Sequence, residues 1–134
     1  MIPRIGSLKL KAQFYCGDEP AMGPGKAVLL EAIDREGSIS AAGRALGMSY
    51  RRSWLLVDSM NRCWKERLVE TMPGGGRNGG ARLTACGREV LLAYRAFEQS
   101  LVEAAANPHR DRLDRLLRAD PLPTAAQSSR QDRA

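Results

Sequence analysis

Histidine is almost missing from this chain of 134 residues: His109 stands alone, in an Arg/Asp-rich segment near the C-terminus. Acid–base or nucleophilic chemistry that depends on an imidazole is thereby excluded from nearly all of the sequence. Cysteine is sparse too, with Cys16, Cys63 and Cys86 far apart and no C-x-x-C pair, so neither a disulfide framework nor a zinc cluster is suggested. A reducing cytoplasm fits such usage best. No apolar run approaches the roughly 18 residues needed to span a bilayer, and the N-terminal MIPRIGSLKLK lacks the apolar centre of a signal peptide. No membrane partner, metal or cofactor is expected. Nor is a catalytic residue, because no nucleophile, base and orienting group occur at sensible spacing.

What is present is positive charge. Lys and Arg number 21 against 15 Asp and Glu, giving +6 and a pI near 9.7, a balance that favours polyanionic partners. The excess is local. Arg44, Arg51, Arg52, Arg62, Lys65, Arg67, Arg77 and Arg82 face only Asp58, Glu66 and Glu70, which places five of the six net charges between Gly37 and Arg82.

The length is that of one domain with a modest core. Leu8, Leu10, Ala12 and Phe14 alternate with polar residues and predict a first strand. After the loop GDEPAMGPG, Val28, Leu29, Ala32 and Ile33 fall at helical spacing until Gly37, with Leu30 on another side as spare apolar surface. SISAAGRALG (38–47) predicts a short helix capped by Ser38 or Ser40 and stopped by Gly47. Ser49 then caps YRRSWLLVDSMNRCW, in which Tyr50, Trp54, Val57, Met60 and Trp64 make an apolar stripe. Two helices joined by a short turn containing Gly form a helix-turn-helix candidate.

RLVET and ARLT, on either side of the tract PGGGRNGGA (73–81), predict a hairpin. Thr84 caps a long helix whose Val90, Tyr94, Phe97, Leu101 and Ala104 share a face that predicts core or dimer contact. Asn107-Pro108 opens a further short helix, and PLPTAAQSSRQDRA reads as a disordered tail. The fold class is therefore mainly α with a small β-sheet: a winged helix-turn-helix over 1–106 with a long C-terminal dimerisation helix, a short helix over 107–120, and the tail over 121–134.

The glycine tract spells G-x-G-x-x-G from Gly74 to Gly79, yet it lacks the helix that a dinucleotide fingerprint needs directly after the loop. Walker A fails as well, because Gly79 is followed by Gly80-Ala81 rather than Lys-Ser/Thr. It is a flexible hairpin tip or a wing, and its place after the two helices favours a wing whose Gly76, Arg77, Asn78 and Gly79 approach DNA phosphates. In the second helix, Arg51, Arg52, Leu55, Ser59 and Arg62 lie opposite the apolar stripe, an ordinary solvated face or a reading face. Arg51 and Arg52 occupy the first turn, the part that enters the major groove in a helix-turn-helix. Leu55 is an incidental surface leucine or a contact to a thymine methyl group.

These residues carry a resemblance. GSISAAGRALGMSYRRSWLLVDSMN, LVET, the glycine tract and ARLTACGREVL resemble the N-terminal DNA-binding domain of the molybdate-responsive regulator family (ModE), close to LysR-type winged helices. The more specific parts are S-Y-x-x-S/A-W at Ser49, Tyr50 and Trp54, the Met60-Asn61 pair, and A-x-L-T at Ala81 to Thr84. The resemblance implies a homodimeric transcription factor on double-stranded DNA. It implies DNA contacts from Ser49, Tyr50, Arg51, Arg52 and Ser53 and from the wing, with Ser40 and Arg44 supporting. Dimer contacts through Leu30, Val90, Tyr94, Phe97 and Leu101 would fit. The C-terminal oxyanion-binding domains of such regulators have no counterpart in the chain, so direct sensing of molybdate or tungstate is not expected. Two rivals remain: a protein-interaction module that heterodimerises with another regulator, and a small sensor holding an oxyanion on the glycine-tract amides.

Overall fold

The computed structural model describes residues 2–73 and 80–126. The chain divides into two units, Met1–Glu103 and Ala104–Ala134. In the first, α1 (Pro24–Glu36) begins at a proline, whose missing N–H is one that a helix start leaves unpaired anyway. It ends where Gly37 takes φ 77°, the left-handed conformation that glycine adopts without strain. Ser38 at once caps α2 (Ile39–Ala45), its hydroxyl accepting from the Ala41 N–H at 3.0 Å. Gly47, at φ 70°, turns the chain into α3 (Tyr50–Cys63), capped by Ser49 through the Arg52 N–H at 3.1 Å.

The approach of α2 to α3 is set by a small residue. A Cβ on Gly43 would stand 2.1 Å from Ser53 Oγ, so only glycine lets the two helices come this close. Ser53 Oγ in turn donates to the Ser49 carbonyl at 3.0 Å, which satisfies the buried hydroxyl.

Among the described residues six strands pair two by two, all antiparallel: β1 (Arg4–Ile5) with β2 (Leu8–Lys9), β3 (Phe14–Cys16) with β4 (Glu19–Met22), and β5 (Val69–Met72) with β6 (Gly80–Leu83). This corrects the expected fold class. In place of a winged helix-turn-helix with one small sheet, the molecule has five helices and three separate two-stranded sheets among the described residues. The reason is visible at the α1–α2 junction, where the Ala81 N–H of β6 donates to the Gly37 carbonyl at 2.9 Å. Gly37 and Ser38 are already committed to ending one helix and capping the next, so no third strand grows from that contact. The segment GDEPAM, expected as loop, instead supplies β4.

Met22, Leu29, Leu30, Ile33, Met60, Leu68 and Val69 are fully buried, so the core gathers around α1 and is closed by α3, β4 and β5. Asn61 ties α3 to β5: its Oδ1 accepts from Leu68 N–H at 2.9 Å and Val69 N–H at 3.0 Å, and its Nδ2 donates to the Val69 carbonyl at 3.1 Å. Then α4 (Ala85–Ala104) starts at Thr84, whose Oγ1 accepts from Gly87 N–H at 2.9 Å and donates to the Arg67 carbonyl at 2.6 Å. Gly87 has no room for a side chain, because a Cβ would lie 2.1 Å from the Leu68 carbonyl oxygen. In the second unit, α5 (Pro108–Leu116) is capped by Asn107, which accepts from the N–H groups of His109 and Arg110.

Candidate nucleic-acid interface

The exposed side of α3 divides along its length into a free half and a locked half. At roughly 100° per residue the buried residues Ser53, Val57 and Met60 define one side, and Arg51, Leu55, Asp58 and Arg62 line the opposite one. In the first two turns Arg51 and Arg52 are exposed and make no ion pair among the described residues; the same holds for Arg44 at the end of α2. Three cations therefore project into solvent around the α2–α3 turn, with no acidic partner among the described residues to neutralise them. Ser49, exposed at the start of α3, has its hydroxyl engaged in the cap, and Ser40 is half-buried on α2.

The last turn of α3 is different. Arg62 donates from Nη2 to Glu19 Oε1 at 2.7 Å and from Nη1 to Oε2 at 3.0 Å, and its Nε donates to Asp58 Oδ2 at 2.9 Å. Arg62 holds the Glu19 carboxyl below the usual carboxylate range, and the same contact raises the Arg62 guanidinium above its ordinary value. Cys63 Sγ and Ser59 Oγ also lie against Glu19, at 3.5 and 3.3 Å. Burial pushes the Cys63 thiol up, with the Glu19 hydrogen bond acting in the same sense. Arg62, expected as a DNA contact, is thus already paired twice.

Other expected contacts need correcting as well. Ser53 is fully buried against Gly43 and cannot reach a ligand. Conversely, Tyr50 and Trp54, expected to belong to the core stripe, are 65% and 38% exposed and meet edge to face with ring centroids 6.0 Å apart. The core stops at Ser53, so the first turn of the stripe extends beyond it. Leu55 is 56% exposed. Gly76, Arg77, Asn78 and Gly79, the expected wing contacts, lie outside the described residues.

The expected dimer residues also separate. Leu30 is fully buried in the core and Tyr94 nearly so, its hydroxyl donating to the Ala12 carbonyl at 2.8 Å, so neither offers surface to a partner. Burial raises the Tyr94 phenol to about 12. Phe97 is 43% exposed and stacks edge to face on Phe14 at 5.4 Å, while Val90 and Leu101 are half-buried. Phe14, Met22, Trp64, Cys86, Val90, Tyr94 and Phe97 frame an apolar hollow of about 600 Å³, with Lys65 and Glu89 at its wall. Trp64 Nε1 is already engaged with the Ala21 carbonyl at 3.0 Å, so the aromatic walls present carbon rather than donors.

Among the described residues no group of three or more His, Cys, Asp or Glu side chains is placed to hold a metal ion. Nor, among them, is any helix long and apolar enough to cross a membrane. The Glu19–Arg62 lock escaped the sequence reading because its partners stand 43 residues apart. The i, i+4 spacing of Asp58 and Arg62 was the one visible hint.

No protein-family model matches the chain. Among curated proteins, the molybdenum-pterin-binding protein MopA of Rhodobacter capsulatus is 35% identical over 102 residues, covering 76% of this chain and 37% of MopA. The molybdenum transport protein ModE of Azotobacter vinelandii is 46% identical over 70 residues, covering 52% of this chain and 26% of that protein. The DNA-binding transcriptional dual regulator ModE of Escherichia coli is 36% identical over 93 residues, covering 69% and 33%. The chain is thus similar to both regulators and molybdenum-binding proteins, and it spans about a third of the length of the curated relatives it matches. This corrects the resemblance drawn from the sequence. The matched stretch is shared with proteins named for molybdenum-pterin binding, and so does not identify the DNA-binding domain of one regulator family.

Proposed function

We propose that the chain is a binding protein rather than an enzyme, and that the first two turns of α3, with Arg44 beside them, bind duplex DNA in the cytoplasm. The observation that carries this is the division of α3. Among the described residues Arg51 and Arg52 at its start make no ion pair, while Arg62 at its end is held by Glu19 and Asp58. Free guanidinium groups bind phosphate or guanine O6/N7 at little cost, whereas Arg62 would have to surrender two charge-assisted bonds first. Binding as a homodimer to a two-fold-related site would double the contact, and regulation of transcription is the use this suits. The test is a titration of random-sequence and selected duplexes with the wild type and with Arg51→Ala and Arg52→Ala. Removing an arginine that reads a base should cost about 1 to 3 kcal/mol on its own site and narrow the gap to nonspecific DNA. An equal loss on all sequences marks a phosphate contact, and no loss refutes the proposal.

The relatives named for molybdenum-pterin binding favour a second reading, in which the chain binds a small oxyanion. Its site would draw on the same free cations or on the glycine tract, since the apolar hollow offers Lys65 alone as a charged donor. Calorimetry with molybdate, tungstate and phosphate separates the two: a stoichiometric heat establishes the second reading, and its absence removes it.

A further inference from the structure

Leu55 lies one turn after Arg51 and about 40° from it around the helix, near the middle of the exposed side of α3. It is 56% exposed, with Arg51 and Arg52 about one turn before it and Asp58, paired to Arg62, about one turn after. The opposite flank carries the exposed Tyr50–Trp54 pair. An apolar side chain among free arginines is poorly matched to a purely phosphate-binding surface, which is polar and charged throughout. It matches the one apolar group that a major groove displays, the 5-methyl of thymine. The boundary of this surface is also set, because Arg62, further along the same side, is held by both Asp58 and Glu19.

Resting on the DNA-binding reading above, we infer that Leu55 determines specificity by packing on a thymine 5-methyl group, within a base-reading surface confined to the first two turns of α3. Arg51 supplies the adjoining polar contact one turn earlier. Leu55 makes its contribution only against a methylated pyrimidine, so thymine and deoxyuridine, which pair alike and differ by that methyl alone, distinguish the inference from general affinity.

The experiment selects duplexes from a random pool with the full chain, then replaces each thymine of the selected half-site by deoxyuridine, one at a time. At one position the affinity is expected to fall about fourfold, the worth of one buried methyl-sized group, and at the others to stay unchanged. Leu55→Ala should bind the thymine and deoxyuridine duplexes equally while melting at the wild-type temperature, since the side chain is exposed. Insensitivity to deoxyuridine at every position overturns the inference and leaves DNA binding standing. So does an unchanged deoxyuridine penalty in Leu55→Ala. Failure to enrich any sequence overturns both.

Discussion

Replacing Asn61 by Ala should destabilise the fold more than its half-buried position suggests. The side chain makes three hydrogen bonds to the backbone of Leu68 and Val69, two of them to N–H groups on residues that are 0% and 2% exposed. With the amide removed, those donors lose their acceptor in a place where solvent barely reaches, at a cost of about 1 to 3 kcal/mol each. A total of about 2 to 6 kcal/mol is a large part of the stability of a domain this size. At about 4 to 8 °C per kcal/mol, the melting temperature should fall by at least about 8 °C. Asn61→Asp keeps the acceptor for both N–H groups but sets a carboxylate oxygen against the Val69 carbonyl, so it should recover only part of what Asn61→Ala loses. Urea and thermal unfolding of the three proteins would measure this. An alanine variant within about 0.5 kcal/mol of wild type would refute the reasoning, as would an aspartate variant weaker than the alanine one.

Three further outcomes are expected. Gly43→Ala should open the α2–α3 crossing, because the new Cβ meets Ser53 Oγ at 2.1 Å; a destabilisation of about 1 to 3 kcal/mol by urea unfolding would show it, and a neutral result would mean that Ser53 turns aside freely. Gly87→Ala meets a carbonyl oxygen of the backbone at the same distance and should be the worse of the two, since Leu68 has no rotamer by which to move it. The depressed Glu19 carboxyl contributes stability above the ordinary carboxylate range and loses it as pH falls through its lowered folded value. Glu19→Gln should therefore flatten the acid limb of a stability–pH curve below about pH 5, and an unchanged limb would show that the Arg62 pair contributes nothing there.

Helix ends were the most legible part of this fold, because they are decided within a few residues. Ser38, Ser49 and Asn107 cap the helices their sequences announce, and Gly37 and Gly47 turn the chain where expected. Helical periodicity carried less, since spacing reports a face and not where the core ends. Tyr50 and Trp54 share the face of Val57 and Met60 yet stand outside, whereas Leu30, read as spare surface, is enclosed because α1 is packed on more than one side. Of the separate sheets, the β5–β6 hairpin follows RLVET and ARLT as expected, whereas the one strand expected over Leu8 to Phe14 is split between two short hairpins that turn at Gly6 and Gly17, both in the left-handed region. At the candidate site, the exposure of Arg51 and Arg52 followed from the pattern, while the fate of Ser53 and Arg62 turned on Gly43 and Glu19, residues that touch them only in the fold.

The salt dependence of duplex binding reports the phosphate contacts made at the start of α3. If Arg44 and Arg52 of each protomer neutralise about four phosphates per dimer while Arg51 faces a base, log K should fall against log salt with a slope of about −4. Arg52→Ala should make that slope shallower by about 1 for each phosphate it leaves unneutralised, while Arg62→Ala leaves it unchanged. An association with DNA that ignores salt, or a slope that responds to Arg62 and not to Arg44 or Arg52, would contradict the account.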